Sequence, residues 1–358
     1  MRLPRKRVLI AGATIVGVAA VGTPVAIALA DNASPGSSAG TGTAKCEAVA
    51  LEVPDGAPTE GYEDVVVSPD GEYIAASARM IVDGEAEEGA VMWHDGKATV
   101  IDDAFTVVDV NSSGTVVGFT GSEGEPRPMT WTDGEFTELT VSEPNGRVMV
   151  EGINDAGDIA GSTGGAEDSP PTGAVKWAEG ATEATGLSIP DDVAEVEVTG
   201  IAEDGTVTGA LLTGENDPYL WHPDGKGEHM KPVPATESDY NLPRYVAGDW
   251  AMSDVADDGV HYRWDLNDPS KAEKMKVGLD PSAVDAEGGV YGGVEGDGFY
   301  GSPALQDAEG AVTELPKKLD GKLLTALNDA SADGSVLTGL VEVGDSEIPT
   351  KPVRWTCA

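Results

Sequence analysis

The residues of this chain with the most capacity for chemistry are its carboxylates. The sequence contains 63 Asp and Glu residues against 22 Lys and Arg, and its formal net charge is −41. Two carboxylates can act together as acid and base in glycoside chemistry, but sequence spacing does not give their separation in space. A site of that kind is one possibility, and no individual catalytic residue is assigned.

Histidine, cysteine and serine patterns do not indicate a metal site or a nucleophile. The four histidines are His94, His222, His229 and His261, and no His-x-x-x-His, Cys-x-x-Cys, Gly-x-Ser-x-Gly or phosphate-loop pattern occurs between Cys46 and Cys357. We therefore expect no metal site and no cofactor. The acid-rich segments Asn154–Asp158 and Asp102–Asp109 leave bound calcium open, against the alternative that they form ordinary Asx turns.

One sequence unit recurs seven times between Cys46 and Cys357. The stretch VMVEGINDAGDIAGS, from Val148, aligns with FTVVDVNSSGTVVGFT, VEVTGIAEDGTVTGAL and TALNDASADGSVLTGL, and weaker copies begin at Tyr62, Asn241 and Pro281. The turn positions are 39 to 48 residues apart, at Gly71, Gly114, Gly157, Gly205, Arg244, Gly288 and Gly334. Because a four-stranded propeller blade takes about 40–45 residues, the repeat predicts an all-β, seven-bladed β-propeller.

Each unit has the same internal order of strands and turns. Each begins with a first strand, a polar turn and a second strand that contains small residues. A variable loop, a third strand and a short fourth strand follow. Asn111, Asn154 and Asn328 are interpreted as turn formers. Tryptophan marks the third strand in six units and is predicted to pack between neighbouring blades: Trp93, Trp131, Trp177, Trp221, Trp264 and Trp355. The sixth unit has SPAL there, and Trp250 lies outside the pattern.

The two cysteines lie at the ends of the repeat region. The seventh unit stops at PVRWTCA, after its third strand, whereas CEAVALEVP is an additional strand before the first unit. We expect this N-terminal strand to complete the last blade, so that residues 46–358 form one closed ring. That pairing would bring Cys46 beside Cys357 and allow a disulfide, which is the usual state of a cysteine pair in an exported protein.

Acids recur in the loops between second and third strands. In a propeller these loops leave one face together with the connections between blades, so the sequence predicts a candidate acidic face. The excess of acids in these loops is modest, and a generally acidic surface is the better single explanation of it. The predicted residues are Asp83, Glu85, Glu123, Glu125, Glu167, Asp168, Glu215, Asp217, Asp257, Asp258, Glu295, Asp297, Asp345 and Glu347.

The first 45 residues read as an export segment. Residues 1–30 combine a basic start, an apolar run from Val8 and the ending Ala28-Leu29-Ala30, which indicates a signal peptide; an uncleaved membrane anchor is the alternative. Residues 31–45 are rich in Gly, Ser and Thr and predict a flexible linker. Removal of the first 30 residues would leave a net charge of −45 and, because no later apolar run is long enough, no integral membrane domain.

The repeat resembles known bacterial propeller families. The wording INDAGDIAG followed by a Trp-x-x-Gly element resembles extracellular HAF-type repeat proteins, and VSPDGEYIA, from Val67, is similar to the turn of TolB-type propellers. The His-Ala-Phe triplet of the first family is replaced here by AVMWHDG, PMTWTDG and GAVKWAEG. The resemblance implies a β-propeller and no catalytic residues.

These observations favour a secreted binding or scaffold module over an enzyme. The expected partner is a protein, a cationic ligand or a glycan, because the negative charge repels nucleic acid and anionic membranes. The ring is expected to be a monomer. The alternative is an extracellular polysaccharide lyase or glycosidase with carboxylates at the channel, which a polar funnel with perturbed pKa values would favour.

Overall fold

The computed structural model describes residues 46–358, apart from 59, 83–84, 103–104, 122–125, 143–145, 166–168, 214–215, 234–241, 254–259, 277, 295–301, 309 and 343–349. The expected signal peptide and linker lie outside these residues. The described chain consists of strands and turns, without an assigned helix. Within it, no helix has the length and hydrophobicity that crossing a bilayer requires.

Seven antiparallel sheets follow one another along the chain. Six of them contain four strands that pair in sequence order, and the seventh contains four such strands and one more strand from the start of the described chain. This confirms the seven-bladed propeller. Blade 1 contains β2 (Tyr62–Val67), β3 (Tyr73–Val82), β4 (Glu85–His94) and β5 (Lys97–Asp102). Blade 2 contains β6 (Thr106–Val110), β7 (Val116–Thr120), β8 (Arg127–Thr132) and β9 (Glu135–Glu138). Blade 3 contains β10 (Val148–Ile153), β11 (Ile159–Thr163), β12 (Gly173–Trp177) and β13 (Thr185–Gly186).

The remaining blades repeat this order. Blade 4 contains β14 (Val196–Ile201), β15 (Val207–Leu212), β16 (Asn216–Trp221) and β17 (Gly227–His229). Blade 5 contains β18 (Pro243–Ala247), β19 (Trp250–Ser253), β20 (Val260–Asp265) and β21 (Ala272–Lys276). Blade 6 contains β22 (Asp280–Val284), β23 (Val290–Val294), β24 (Ser302–Gln306) and β25 (Val312–Glu314). Blade 7 contains β27 (Lys322–Ala330), β28 (Val336–Glu342) and β29 (Thr350–Cys357) as its first three strands, and the N-terminal β1 (Cys46–Ala50) as its fourth. The short β26 (Lys318–Leu319) pairs with the start of β27.

Ring closure follows the expected pairing. β1 pairs antiparallel with β29, and Cys46 lies directly opposite Cys357. The two sulfurs form a disulfide across 311 residues of chain. The last blade is therefore built from both ends of the repeat region and locked covalently.

The first strand of each blade is the innermost one, and its backbone lies so close to the second strand that the second strand needs small residues. Each first strand contacts the first strands of both neighbouring blades and so lines the ring axis, and each contains an irregularity in its pairing, such as that between Val107 and Asp109. A bulge of this kind brings a carbonyl oxygen close to the adjacent strand. A Cβ at Gly118 would lie 2.0 Å from Thr106 O. Glycine is therefore required by close approach of the backbone at this position.

The turns between first and second strands confirm most of the repeat alignment. Gly71, Gly114, Gly157 and three equivalent glycines adopt positive φ, as predicted. Asn111 and Asn154 also act as turn formers: Asn111 Oδ1 accepts the Thr115 amide, and Asn154 Oδ1 accepts the Asp158 amide. The same two side chains donate to carbonyls of the next blade, Asn154 O and Ala202 O, and so join successive turns.

Two turn assignments from the sequence are wrong. The fifth turn is at Gly248, which has φ of 54°, and Arg244 lies inside β18. The alignment missed this because blade 5 replaces the long polar turn with a two-residue reversal between Ala247 and Trp250. In blade 7 Ser331 forms the turn, and Asn328 lies three residues earlier, inside β27.

The tryptophans pack between blades, as predicted. Trp177, Trp221, Trp264 and Trp355 are fully buried. Four indole nitrogens donate to carbonyls of the connection that enters their blade: Trp93 to Glu52, Trp177 to Thr140, Trp221 to Ser188 and Trp264 to Lys231. Their role is therefore structural.

Candidate functional site: the loop face and the channel

The strand order defines two faces of the ring. Because all blades run in the same sequence around the axis, the loops from second to third strands and the connections between blades leave one face, here called the loop face. The tight turns after first and third strands leave the opposite one, called the turn face. Each of the seven predicted acid-containing segments is flanked in the sequence by a second strand and a third strand whose described ends meet at the loop face.

Most of the predicted acidic face lies outside the described residues. Glu85 is the first residue of β4, and Asp217 is the second residue of β16. Twelve of the predicted acids lie outside the described residues: Asp83, Glu123, Glu125, Glu167, Asp168, Glu215, Asp257, Asp258, Glu295, Asp297, Asp345 and Glu347.

Asp217 is engaged within its own blade. Its Oδ2 lies 2.9 Å from Nδ1 of His229 on β17, and the His229 ring packs edge-on against Tyr219. The side chain of Asp217 is 29% exposed to solvent. One predicted acid is thus already held by a histidine, a pairing that sequence spacing did not indicate.

A buried ion pair joins blades 4 and 5 near the axis. Arg244 Nη1 lies 3.2 Å from Glu197 Oε1, and the two side chains are only 11% and 13% exposed. Both residues lie on first strands, with Arg244 at the pairing irregularity of β18. The sequence analysis missed the pair because it placed Arg244 in a turn. Breaking a buried pair leaves an unpaired charge, so this contact stabilises the seam between the two blades.

Three carboxylates around the axis hold neighbouring blades together. Asp109 Oδ2 accepts the backbone amide of Ile153, and Asp329 Oδ2 accepts that of Val67. Glu203 Oε2 accepts the amide of Asp155. Each bond crosses from one blade to the next, so these acids serve ring assembly.

Glu203 also has a perturbed pKa. Partial burial, followed by the nearby charges of Asp155 and Asp109, raises the pKa of Glu203, although the hydrogen bond from Asp155 acts in the opposite direction. Glu203 lies on the turn face and not beside the acid-containing loops. Acidity is therefore not confined to the loop face, since turn residues such as Asp70, Asp155 and Asp333 are acidic too.

Metal-ligating side chains do not converge in the described part of the chain. There, no group of three or more His, Cys, Asp or Glu residues is arranged to hold an ion. The segment Asn154–Asp158, where calcium was left open, forms a turn in which Asn154 Oδ1 accepts a hydrogen bond from the Asp158 amide. In Asp102–Asp109 two residues lie outside the description, and Asp109 binds the Ile153 amide.

Comparison with known proteins supports the fold alone. No family model and no curated protein matches the chain. The propeller domain of the Trilobed protease from Pyrococcus furiosus, which has an open velcro topology, is 13% identical with a TM-score of 0.59 over 84% of this chain and 94% of its own. An inactive variant of virginiamycin B lyase from Staphylococcus aureus, solved with quinupristin, is 13% identical with a TM-score of 0.55 over 87% and 99%.

TolB from Acinetobacter baumannii also matches, with 11% identity and a TM-score of 0.41 over 61% of this chain and 56% of its own. Propellers of this kind include enzymes as well as other proteins, so the shared fold does not assign an activity. The chain shares the propeller fold of the first two of these structures, and it is itself a seven-bladed β-propeller whose ring is closed by its own N-terminal strand.

Proposed function

We propose that this protein is an exported binding module that recruits a basic protein or other cationic partner through its loop face. The observation that supports the proposal is the common strand order of the seven blades: the second and third strands that flank the acid-containing segments end on the same side of the ring in every blade. A rigid ring that presents variable loops together is a common basis for recognition. The disulfide between Cys46 and Cys357 supports a location outside the cytoplasm.

The remaining features of the proposal follow from charge and repeat pattern. The protein acts as a monomer without a cofactor. The sequence of its repeats relates it to extracellular HAF-type proteins. With 63 acids in the chain, the field at its surface attracts cations and repels nucleic acid. Such attraction is screened within about 8 Å at physiological salt, so binding is expected to weaken as salt rises.

A catalytic alternative is less well supported. A polysaccharide lyase or glycosidase requires carboxylates that are free to act on substrate. Asp109, Asp329 and Glu203 instead accept backbone amides of neighbouring blades. Their engagement in ring assembly favours binding over catalysis.

The proposal is tested by neutralising equal numbers of acids on the two faces. The probe is a fluorescent heptalysine peptide, and the readout is its anisotropy at low and at physiological ionic strength. The loop-face variant carries Glu123→Gln, Glu125→Gln, Glu167→Gln and Asp168→Asn. The turn-face control carries Asp95→Asn, Asp133→Asn, Glu135→Gln and Glu179→Gln, all at exposed positions.

We expect the loop-face variant to bind roughly five- to tenfold more weakly than the control, because the substitutions remove charge where the loops converge. Asn fits the positive φ of Asp95 and Asp133, so the control keeps its turns. Equal losses in the two variants would mean that only net charge matters and would refute a functional loop face.

A further inference from the structure

Blade 1 contains a hairpin that is longer than those of the other blades. β3 and β4 each have ten residues, and their pairing continues without a shift from Ala76↔Val91 to Val82↔Glu85. The second and third strands of the other blades have four to eight residues. The hairpin extends in the direction of the loop face, because β3 is a second strand.

The neighbouring strands of blade 1 do not follow this extension. The pairing of β2 with β3 ends at Tyr62↔Ala78, and the pairing of β5 with β4 ends at Ala90↔Asp102. Residues 79–82 and 85–89 therefore form a two-stranded ribbon, and no strand in the described part of the chain pairs with its outer edges. Four residue pairs at about 3.3 Å per residue carry the ribbon roughly 13 Å beyond the blade.

The sequence of the ribbon is unusual for a strand at the edge of a sheet. Met80, Ile81 and Val82 follow one another on β3, whereas β4 carries Glu85, Glu87 and Glu88. Consecutive apolar and β-branched residues favour strand pairing. Exposed edges in natural proteins are usually protected by lysines, proline or a bulge. The outer strand of blade 5 follows that rule with Lys274 and Lys276, but residues 80–82 contain none of these devices, and their register is regular.

We infer that the free edge of β3, residues 79–82, accepts an extended basic strand from a partner protein. The inference rests on the proposed function and deepens it, since it names the binding element and the class of partner. Strand addition supplies affinity through main-chain hydrogen bonds and specificity through alternate side chains. It also completes a ribbon that, as two isolated strands, is only marginally stable in water.

Charge and position define the partner. The free edge of β3 is the edge that β2 occupies lower in the blade, and β2 lines the ring axis. An added strand therefore continues the sheet inward over the channel, among the acid-containing loops. Strands in a sheet lie about 4.8 Å apart, so the partner strand lies about 9.6 Å from β4, whose sequence contains three glutamates. This distance is close to the screening length, which is about 10 Å at 0.1 M salt and about 8 Å at physiological salt, so the attraction is expected to be strongest at low salt. Lysine or arginine alternating with apolar residues matches this environment.

The test uses two synthetic peptides and two protein variants. The probe is an end-capped peptide of alternating lysine and valine, and heptalysine is the probe for charge alone. In the shortened variant, Asn-Gly replaces residues 80–87 and joins Arg79 to Glu88, which already face each other across the hairpin. The charge-matched control keeps the hairpin and carries Asp83→Asn, Glu85→Gln and Glu87→Gln, which remove the same three negative charges.

We expect the shortened variant to bind the lysine–valine peptide at least about tenfold more weakly, and the control only about two- to threefold more weakly. Hydrogen exchange of the unmodified protein should show slower exchange of the amides of residues 79–82 when the peptide is bound. Equal losses in the two variants, or protection elsewhere in the ring, would overturn strand addition. The exchange measurement decides the matter even if the shortened variant does not fold.

Heptalysine separates this inference from the proposed function. If heptalysine binding depends on the loop face but the hairpin variants behave alike towards the lysine–valine peptide, only strand addition is refuted. If loop-face and turn-face neutralisation affect heptalysine equally while residues 79–82 become protected by the lysine–valine peptide, strand addition stands and the acid-rich face is refuted as the attractant.

Discussion

Gln306 Oε1 accepts a hydrogen bond of 2.9 Å from the backbone nitrogen of Gly278. Gln306 lies opposite Val290, at the register position where Trp177 lies opposite Ile159 in blade 3. Gly278 belongs to the connection that enters blade 6, so the bond corresponds to the indole–carbonyl bonds of four other blades, with donor and acceptor exchanged. What these positions share is a hydrogen bond to the incoming connection, which holds successive blades in order.

That shared bond predicts a difference between two buried tryptophans. Trp177 Nε1 donates to Thr140 O, whereas Trp355 Nε1 is buried and has no hydrogen-bond partner among the described residues. Trp177→Phe should cost about 1 kcal/mol more than Trp355→Phe in free energy of unfolding, because both lose similar ring volume but only the first loses a bond. Urea denaturation of the two variants measures this difference. Equal costs would show that the indole bond contributes nothing.

The disulfide should make a large contribution to stability. Cross-linking residues 311 apart removes much of the entropy of the unfolded chain, and loss of such a bond commonly costs about 2–5 kcal/mol. Cys46→Ser should lower Tm by roughly 5–10 °C. The double variant with Cys357→Ser provides the control, since a reductant should no longer change its Tm. Unaltered melting of Cys46→Ser would exclude a stabilising clasp.

The glycine of the second strand should be intolerant of any side chain. A Cβ at Gly118 would lie 2.0 Å from Thr106 O, whereas one at Gly186 meets nothing within 4 Å. Gly118→Ala should therefore cost about 2–4 kcal/mol, because the bulged backbone must move, and Gly186→Ala should be nearly neutral. Chemical denaturation compares the two. A neutral Gly118→Ala would mean that the inner strand can shift freely.

Glu203 gives a prediction with a defined pH dependence. Because the folded-state pKa of Glu203 is raised, its ionised form costs stability at neutral pH, and the cost disappears as pH falls and the folded protein takes up the proton. Glu203→Gln keeps an acceptor for the Asp155 amide and should raise stability at pH 7 by less than about 1 kcal/mol, because the carboxylate, although partly desolvated, retains contact with water that screens its charge. The gain should vanish near pH 4. Thermal melts at both pH values test this, and an equal gain at both would exclude titration as its cause.

The alignment of repeats predicted more of the fold than of the candidate site. Blade number, strand order, tryptophan positions and the Cys46–Cys357 pair were predictable because each blade must bury two faces against its neighbours, and this need imposes one sequence pattern seven times. Blade 5 escaped the pattern. Its reversal at Gly248 is two residues long, so the alignment shifted and placed Arg244 in a turn.

The candidate site depends on contacts between units that are far apart in sequence. The sequence shows Asp217 as one of the acids that recur between second and third strands, but its pairing with His229 depends on the register of β16 with β17. Arg244 meets Glu197 only because two first strands lie side by side around the axis.

The amino-acid sequence by itself determined the repeat, the closed ring and the covalent clasp, because local strand and turn chemistry repeats at a fixed interval. Only the tertiary structure decided which polar groups serve assembly and which edges remain open. Asp109 and Asp329 became links between blades because the inner-strand irregularities turn their carboxylates towards the next backbone amide. In the part of the chain that the structure describes, no strand pairs with the edge of β3 beyond Ala78, because the pairing with β2 ends at Tyr62↔Ala78 while β3 continues to Val82.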